Sequence, residues 1–74
     1  MDFNYDKQMG KNIRTIRKKK GWTQEILSAK LQIAGCDIPR GTLAKIEVGQ
    51  RHLYSHEIKA LKEIFNISFD DLFV

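Results

Sequence analysis

Two stretches of the sequence decide its fold: residues 21–25, Gly-Trp-Thr-Gln-Glu, and residues 40–47, Arg-Gly-Thr-Leu-Ala-Lys-Ile-Glu. In the first stretch, Gly21 predicts the end of one helix and Thr23 can cap the start of the next. The second stretch predicts a short helix that directs Leu43 and Ile46 inward, because residues at this spacing share one helical face. The sequence therefore predicts two short helices in succession, with polar side chains left outside.

The length and composition of the chain exclude several classes of protein. With 74 residues, the chain holds one small domain, which we predict to span residues 1–74, and it is too short to enclose a large active site. The single cysteine, Cys36, excludes an internal disulfide. His52 and His56 lack a further ligand at suitable spacing, so we expect no metal and no cofactor. Since no apolar run could span a membrane, we expect a soluble, cytoplasmic protein without a membrane partner.

The positive charge is concentrated in the middle of the chain, whose net charge is +4. Residues 11–51 contain ten Lys or Arg against three Asp or Glu, a balance of +7. The two flanking segments together contain three Lys or Arg and six Asp or Glu, a balance of −3. A surface that binds a polyanion requires this distribution, although a solvated lysine-rich surface would give the same count.

The first helix is predicted to be capped by Asp2 or Asn4 and to run to about Lys20. Its inward face follows the helical period and consists of Met9, Ile13 and Ile16. Gly10 lies within this helix, where glycine costs about 1 kcal/mol relative to alanine. We therefore expect Gly10 to mark a close packing contact.

Two more helices surround the central connection. Helix two is predicted over residues 23–32 and a loop over residues 33–38. Helix three is predicted to begin with Pro39 in its first turn, to run to about Val48 and to stop at Gly49. The apolar positions of helix two are Ile26, Leu27, Ala29 and Leu31.

The C-terminal part predicts two further helices. The fourth covers residues 55–65 and is capped by Ser55, with Ile58, Leu61, Ile64 and Phe65 facing the core. Residues 68–71 resemble a capping box that opens a short fifth helix, whose Leu72 and Phe73 would close the core. No segment has the alternating pattern of a strand. The sequence therefore predicts a compact all-α domain of five helices.

Five fragments of the sequence, taken in order, resemble a known family. They are Ile-Arg-x-x-Arg-Lys at 13–18, Gly-x-Thr-Gln-Glu at 21–25, Lys-Leu at 30–31, Thr-Leu-Ala-Lys-Ile-Glu-x-Gly at 42–49 and Ile-Ser-x-Asp-Asp-Leu-Phe at 67–73. This set resembles the phage-repressor/Cro-like helix-turn-helix family, the XRE group of transcription regulators. The resemblance implies a lambda-repressor-like DNA-binding domain with its helix-turn-helix at about residues 23–48.

The resemblance also implies roles for individual residues. A recognition helix would read bases in the major groove through Arg40, Gly41, Thr42, Ala44 and Lys45. Arg40 and Lys45 are the strongest base-reading candidates, because their side chains can donate hydrogen bonds to guanine O6 and N7. Arg17 and Glu47 match a family pair that forms a partly buried ion pair between helices one and three. We assign phosphate contacts to Thr23, Gln24, Arg51, Lys11 and Arg14.

The chain departs from the family pattern between helices two and three. The connection at 32–38 is longer than the usual turn of about four residues, and Pro39 replaces the usual Ser or Thr cap. The family pattern therefore does not define the tilt of the recognition helix in this chain. The longer loop could reach the DNA backbone or a partner.

These observations favour a sequence-specific double-stranded DNA-binding transcriptional regulator, a repressor that acts as a homodimer. The alternative is an antitoxin-like module that neutralises a protein partner and regulates its own synthesis through DNA. The sequence contains no paired nucleophile and base, no phosphate-binding loop and no convergent carboxylate pair. We therefore predict that the protein is not an enzyme.

Overall fold

The computed structural model describes residues 3–72, with side chains from Tyr5 onward. Within these residues the chain forms five helices and no strand: α1 (Phe3–Lys19), α2 (Gln24–Ile33), α3 (Arg40–Glu47), α4 (Ser55–Phe65) and α5 (Phe69–Leu72). Asn4 lies inside α1, so the prediction that it caps this helix is wrong. Asp2 and Phe73 lie outside the described residues. None of the described helices combines the length and the apolar composition needed to cross a membrane.

The turn between α1 and α2 is built by local signals that the sequence contains. Gly21 has a φ of 75°, a conformation that glycine adopts at little cost. The Trp22 N–H donates to the Arg17 carbonyl at 3.1 Å, which closes the last turn of α1. The Thr23 hydroxyl oxygen then accepts the Ile26 N–H at 3.1 Å and caps α2. The predicted Gly21 stop and Thr23 cap are therefore confirmed.

Three other predicted helix starts differ in detail. Pro39 lies just before α3 as its N-terminal flanking residue, not in the first turn, and supplies no side-chain cap. Ser55 is the first helical residue of α4, so the prediction that it caps this helix is wrong; Tyr54 precedes the helix and its N–H donates to the Glu57 carboxylate at 2.9 Å. At α5, the Asp71 carboxylate accepts the Ser68 N–H at 3.2 Å, which is one half of the predicted capping box.

The core contains one apolar face from each helix and two residues of the central connection. Its fully buried side chains are Ile13, Leu27, Leu31, Ile38, Leu43, Ile46, Leu61, Phe65 and Leu72. Ile26 and Ala29 were predicted at apolar positions of α2, but both are exposed, Ile26 to 41%. The helices α3 and α4 cover only one side of α2, and Leu27 and Leu31 occupy that side. Ile26 and Ala29 therefore lie outside the core.

Gly10 brings α1 and α3 into backbone contact. A β-carbon at this position would collide with the Ile46 carbonyl oxygen and would lie 2.8 Å from the Glu47 carbonyl oxygen. Any larger residue would push the helices apart, since backbone atoms cannot rotate away. The expected close packing contact at Gly10 is confirmed.

The connection between α2 and α3, residues 34–39, is tied to the core along its length. Cys36 is buried and Ile38 is fully buried. The Ser28 hydroxyl donates to the Ile38 carbonyl at 2.6 Å, which joins the connection to α2. The additional length relative to a short turn is therefore used for packing, and it fixes the point at which α3 begins.

Candidate nucleic-acid interface

The outer face of α3 presents the residues that the sequence assigned to base reading. Leu43, Ile46 and Glu47 are buried on the inner side of this helix. Arg40, Gly41 and Lys45 are exposed, and Thr42 and Ala44 are half-buried. The helix is therefore held along one side and free along the other, as a helix inserted into a groove must be.

The inner end of α3 is held by a buried ion pair. Arg17 Nε and Glu47 Oε2 lie 2.7 Å apart, and their side chains are only 8% and 2% exposed. A second hydrogen bond runs from Arg17 Nη2 to Glu47 Oε1 at 3.0 Å. Arg17 Nη1 also donates to the Trp22 carbonyl at 2.7 Å. One guanidinium thus connects α1, α3 and the turn before α2, because each of its edges meets a different element.

Gln24 extends this network to the start of α2. Its Nε2 donates to Glu47 Oε1 at 3.1 Å. The amide is therefore fixed beside the free N–H groups of the first turn of α2, which attract an anion. Nearby Thr23 is exposed and uses its hydroxyl oxygen for the cap. This end of α2 can present oriented donors to a phosphate group.

Arg51 occupies a second ion pair, which the sequence did not indicate. Its Nη1 and Nη2 donate to Glu57 Oε1 and Oε2 at 2.9 and 2.8 Å. Burial alone would raise the pKa of the Glu57 carboxyl, but the hydrogen bonds from Arg51 and the Tyr54 N–H lower this pKa below its usual value. The side chain of Arg51 is 28% exposed. A phosphate contact by Arg51 stays a prediction, and in the free protein its guanidinium holds the start of α4.

Arg40 also has a partner that the sequence pattern does not indicate. Its Nε lies 3.4 Å from Glu25 Oε1, and the two side chains are 64% and 74% exposed. The signal in the sequence was the acidic residue in the first turn of α2, but the pairing depends on how α2 and α3 pack. The pair lies at the surface that carries the other predicted base-reading residues.

The remaining basic candidates lie on α1. Lys11 and Arg14 are both exposed. Neither makes an ion pair or a side-chain hydrogen bond to another described residue. Both are free to interact with a polyanion, although no described contact joins them to the α3 surface.

Outside this surface, the polar side chains that the structure describes do not form a metal centre. His52 packs edge-on against Tyr54, and His56 stacks on the same ring with centroids 6.1 Å apart. Among residues 3–72, no group of three His, Cys, Asp or Glu could hold a metal ion. Cys36, the other reactive side chain, is buried, and burial together with the nearby carboxylates Glu57 and Asp37 raises the pKa of its thiol. The thiol is therefore protonated at neutral pH and poorly nucleophilic.

Comparison with known proteins identifies the family of this arrangement. A family model described as a helix-turn-helix domain matches residues 10–73. No curated protein sequence matches the chain. Several solved structures are similar over nearly its whole length.

Two of these structures are of DNA-binding domains named BldD. The DNA-binding domain of BldD has a TM-score of 0.81 and 19% identity, with 100% of both chains covered. The DNA-binding domain of S. venezulae BldD has a TM-score of 0.78 and 18% identity, covering 96% of this chain and 99% of that chain. At this identity the likeness establishes the fold.

The third structure is more similar in sequence. The restriction-modification controller protein C.AhdI from Aeromonas hydrophila has a TM-score of 0.76 and 25% identity, with 96% of each chain covered. The predicted lambda-repressor-like all-α fold is confirmed by these neighbours and by the five described helices. The match to a helix-turn-helix domain family agrees with the prediction that the protein is not an enzyme. Since the family model covers most of its length, the chain belongs to the XRE-type helix-turn-helix domain family.

Proposed function

We propose that this protein is a cytoplasmic transcription regulator that binds double-stranded DNA sequence-specifically and represses transcription as a homodimer. In this proposal residues 1–74 act as one DNA-binding unit. The recognition helix α3 enters the major groove, and the start of α2 contacts the DNA backbone. The observation that carries the proposal is the outer face of α3, which exposes Arg40, Gly41 and Lys45 on a helix whose inner side is buried.

The base-reading role follows from the chemistry of this face. The side chains of Arg40 and Lys45 can donate to guanine O6 and N7, which are acceptors on the floor of the major groove. Thr42 can bond to a base or a phosphate, and Ala44 can contact a thymine methyl group. Gly41 has no neighbour within 4 Å of a β-carbon position, so it allows close approach of the helix to DNA. Few long side chains take part, and DNA shape would supplement them.

Phosphate contacts would come from the elements around α3. Gln24 is positioned by Glu47 beside the first turn of α2. Lys11 and Arg14 add exposed positive charge on α1. A central segment with a charge balance of +7 supports such binding, because phosphate neutralisation provides most of the affinity for DNA.

The dimer is proposed because one recognition helix covers only a few base pairs. Two copies related by a twofold axis would place their recognition helices in half-sites about 34 Å apart on one face of DNA. We propose α5 and the exposed part of the segment after Gly49 as the surface between the copies. Bound at a promoter, such a dimer would exclude polymerase, and repression is the expected outcome.

Selection of bound sites from a random DNA pool tests this proposal directly. We expect a palindromic site with a guanine at a position that Arg40 reads. Arg40→Ala should lose the preference at one or two base pairs, while Gln24→Ala should lower affinity evenly across sequences. The logarithm of the binding constant should fall linearly with the logarithm of salt concentration. Recovery of no enriched sequence would refute specific binding, and one protomer on a complete palindrome would refute the dimer.

A second candidate, the antitoxin-like interaction module, is favoured by the outer face of α2. Ile33 is 88% exposed and Ile26 is 41% exposed, and their spacing of two helical turns puts them on one face. These two side chains would form part of the apolar surface that a protein partner covers. The test is co-purification with the product of a neighbouring gene. Ile33→Ser should abolish it and leave DNA affinity unchanged, and the same yield of complex with Ile33→Ser would refute this candidate.

A further inference from the structure

The ion pair between Arg40 and Glu25 joins the recognition helix to the first turn of α2. We propose that Glu25 is a positioning residue for base recognition: its carboxylate attracts the Nε side of the Arg40 guanidinium and so favours rotamers that direct the two terminal nitrogens toward the edge of a guanine. This inference rests on the proposed function. It assigns a specificity-determining role to an acidic residue on a basic surface, where neither its charge nor the sequence pattern would suggest one.

The geometry of the guanidinium supports this role. The closest approach of the pair is from Arg40 Nε to Glu25 Oε1, at 3.4 Å, which is an ion pair without a hydrogen bond. Neither terminal nitrogen of Arg40 hydrogen-bonds to any described residue. These two nitrogens form the fork that donates to guanine O6 and N7. The carboxylate therefore engages one part of a planar group and leaves the base-reading part free.

Because the pair is exposed to solvent, we expect it to affect base recognition and not the stability of the fold. The side chain of Arg40 is 64% exposed and that of Glu25 is 74% exposed. An exposed ion pair adds little to folding. In a complex with DNA, water is displaced from this surface, and the same pair then acts in a medium of lower dielectric constant. We therefore expect the Arg40–Glu25 pair to change the affinity for DNA, and only at the base pair that Arg40 contacts.

The negative charge of Glu25 also explains how specificity would rise at the expense of affinity. Near DNA, a carboxylate repels phosphate groups wherever the protein binds. At the correct site, the same carboxylate restricts the rotamers of Arg40 and reduces the entropy lost on forming the two hydrogen bonds. Glu25 therefore weakens non-specific binding while it favours the guanine-containing site, and the ratio of the two affinities increases.

The experiment compares Glu25→Gln with a matched control. Glu63→Gln makes the same charge change at an exposed position on α4, away from α3. Affinities of the wild type and both variants are measured by fluorescence anisotropy for the selected site, for sites with each other base pair at the Arg40 position, and for random DNA. Thermal unfolding of each variant shows whether the fold is unchanged. The series is repeated in an Arg40→Ala background.

We expect E25Q to reduce the preference for guanine at the Arg40 position by about 1.4–5-fold, the range of an exposed ion pair converted to an affinity ratio. Affinity for random DNA should increase. E63Q should leave the preference unchanged, and in the Arg40→Ala background E25Q should have no effect on it. An unchanged preference in E25Q, an increased preference, or an equal loss without Arg40 would overturn the positioning role. Absence of any base preference in the wild-type protein would instead refute the proposed function.

Discussion

Replacing Gly10 by alanine gives a result opposite in sign to the one that helix propensity predicts. Alanine is more favourable than glycine by about 1 kcal/mol in a helix interior, so propensity alone predicts stabilisation. In this structure, the added β-carbon would collide with the Ile46 carbonyl oxygen and lie 2.8 Å from that of Glu47. These atoms belong to the α3 backbone, so α1 and α3 must separate to accept the methyl group.

The net effect of Gly10→Ala is a loss of about 2 kcal/mol in the free energy of unfolding. Overpacking typically costs about 1–3 kcal/mol, and contact with backbone puts this position at the upper end, from which the gain in propensity of about 1 kcal/mol is subtracted. With a urea m-value of about 1 kcal/mol/M for a small domain, the unfolding midpoint should fall by about 2 M. Circular dichroism at a helical wavelength, followed against urea concentration, measures this midpoint.

Gly41→Ala is the matched control, since Gly41 is also helical. Apart from the adjacent residues and the backbone of its own helix, no atom lies within 4 Å of a β-carbon at this position. Its unfolding midpoint should rise by up to about 1 M, because the propensity gain is not opposed. A Gly10→Ala midpoint at or above that of the wild type would refute the backbone contact between α1 and α3.

Three further predictions concern the buried polar groups. Glu47→Gln should lower the free energy of unfolding, measured by urea denaturation, by about 3–5 kcal/mol, because Arg17 is left buried without its counter-charge. A loss below about 1 kcal/mol would contradict this reasoning. The lowered pKa of Glu57 means that its pair with Arg51 stabilises the fold above the usual carboxyl pKa of 4.5 and that this stability is lost as pH falls through the folded-state pKa. Glu57→Gln should therefore flatten the stability profile below about pH 4.5, and an unchanged profile would exclude this pair as its source. The thiol of Cys36 should react with a disulfide reagent slowly in the native protein and rapidly in urea, because burial raises its pKa and blocks access; equal rates would contradict its burial.

Local signals made much of the fold predictable. The stop at Gly21 and the cap at Thr23 depend on hydrogen bonds between residues close in sequence, so the residue types determine them. The sequence predicts Ser55 as the cap of α4, because serine is a better capping residue than its neighbour Tyr54. The structure instead uses the Glu57 carboxylate, which accepts the Tyr54 N–H. The two candidate capping positions are adjacent in the sequence, and the path of the preceding chain determines which of them begins the helix.

The errors beyond one residue have a tertiary origin. The sequence places apolar residues around much of α2, and its pattern does not indicate that only one side is covered. The pattern therefore predicts an inward Ile26, whereas this side chain is exposed in the structure. The pairs of Arg40 with Glu25 and of Arg51 with Glu57 depend on how helices and loops pack. Arg17 and Glu47 lie far apart in the chain, so no local pattern pairs them. Only the family resemblance predicts this ion pair.

The connection between α2 and α3 has a consequence for how this protein can vary. In many proteins a loop tolerates insertion and deletion, because its residues contribute nothing to the interior. Here Cys36 and Ile38 occupy the core, and the Ile38 carbonyl is held by Ser28. Shortening the segment to a four-residue turn would remove interior side chains and open a cavity, so the shorter chain would need new core residues before it could fold. Length and core composition at this point must therefore change together in evolution or design, and the placement of α3 would change with them.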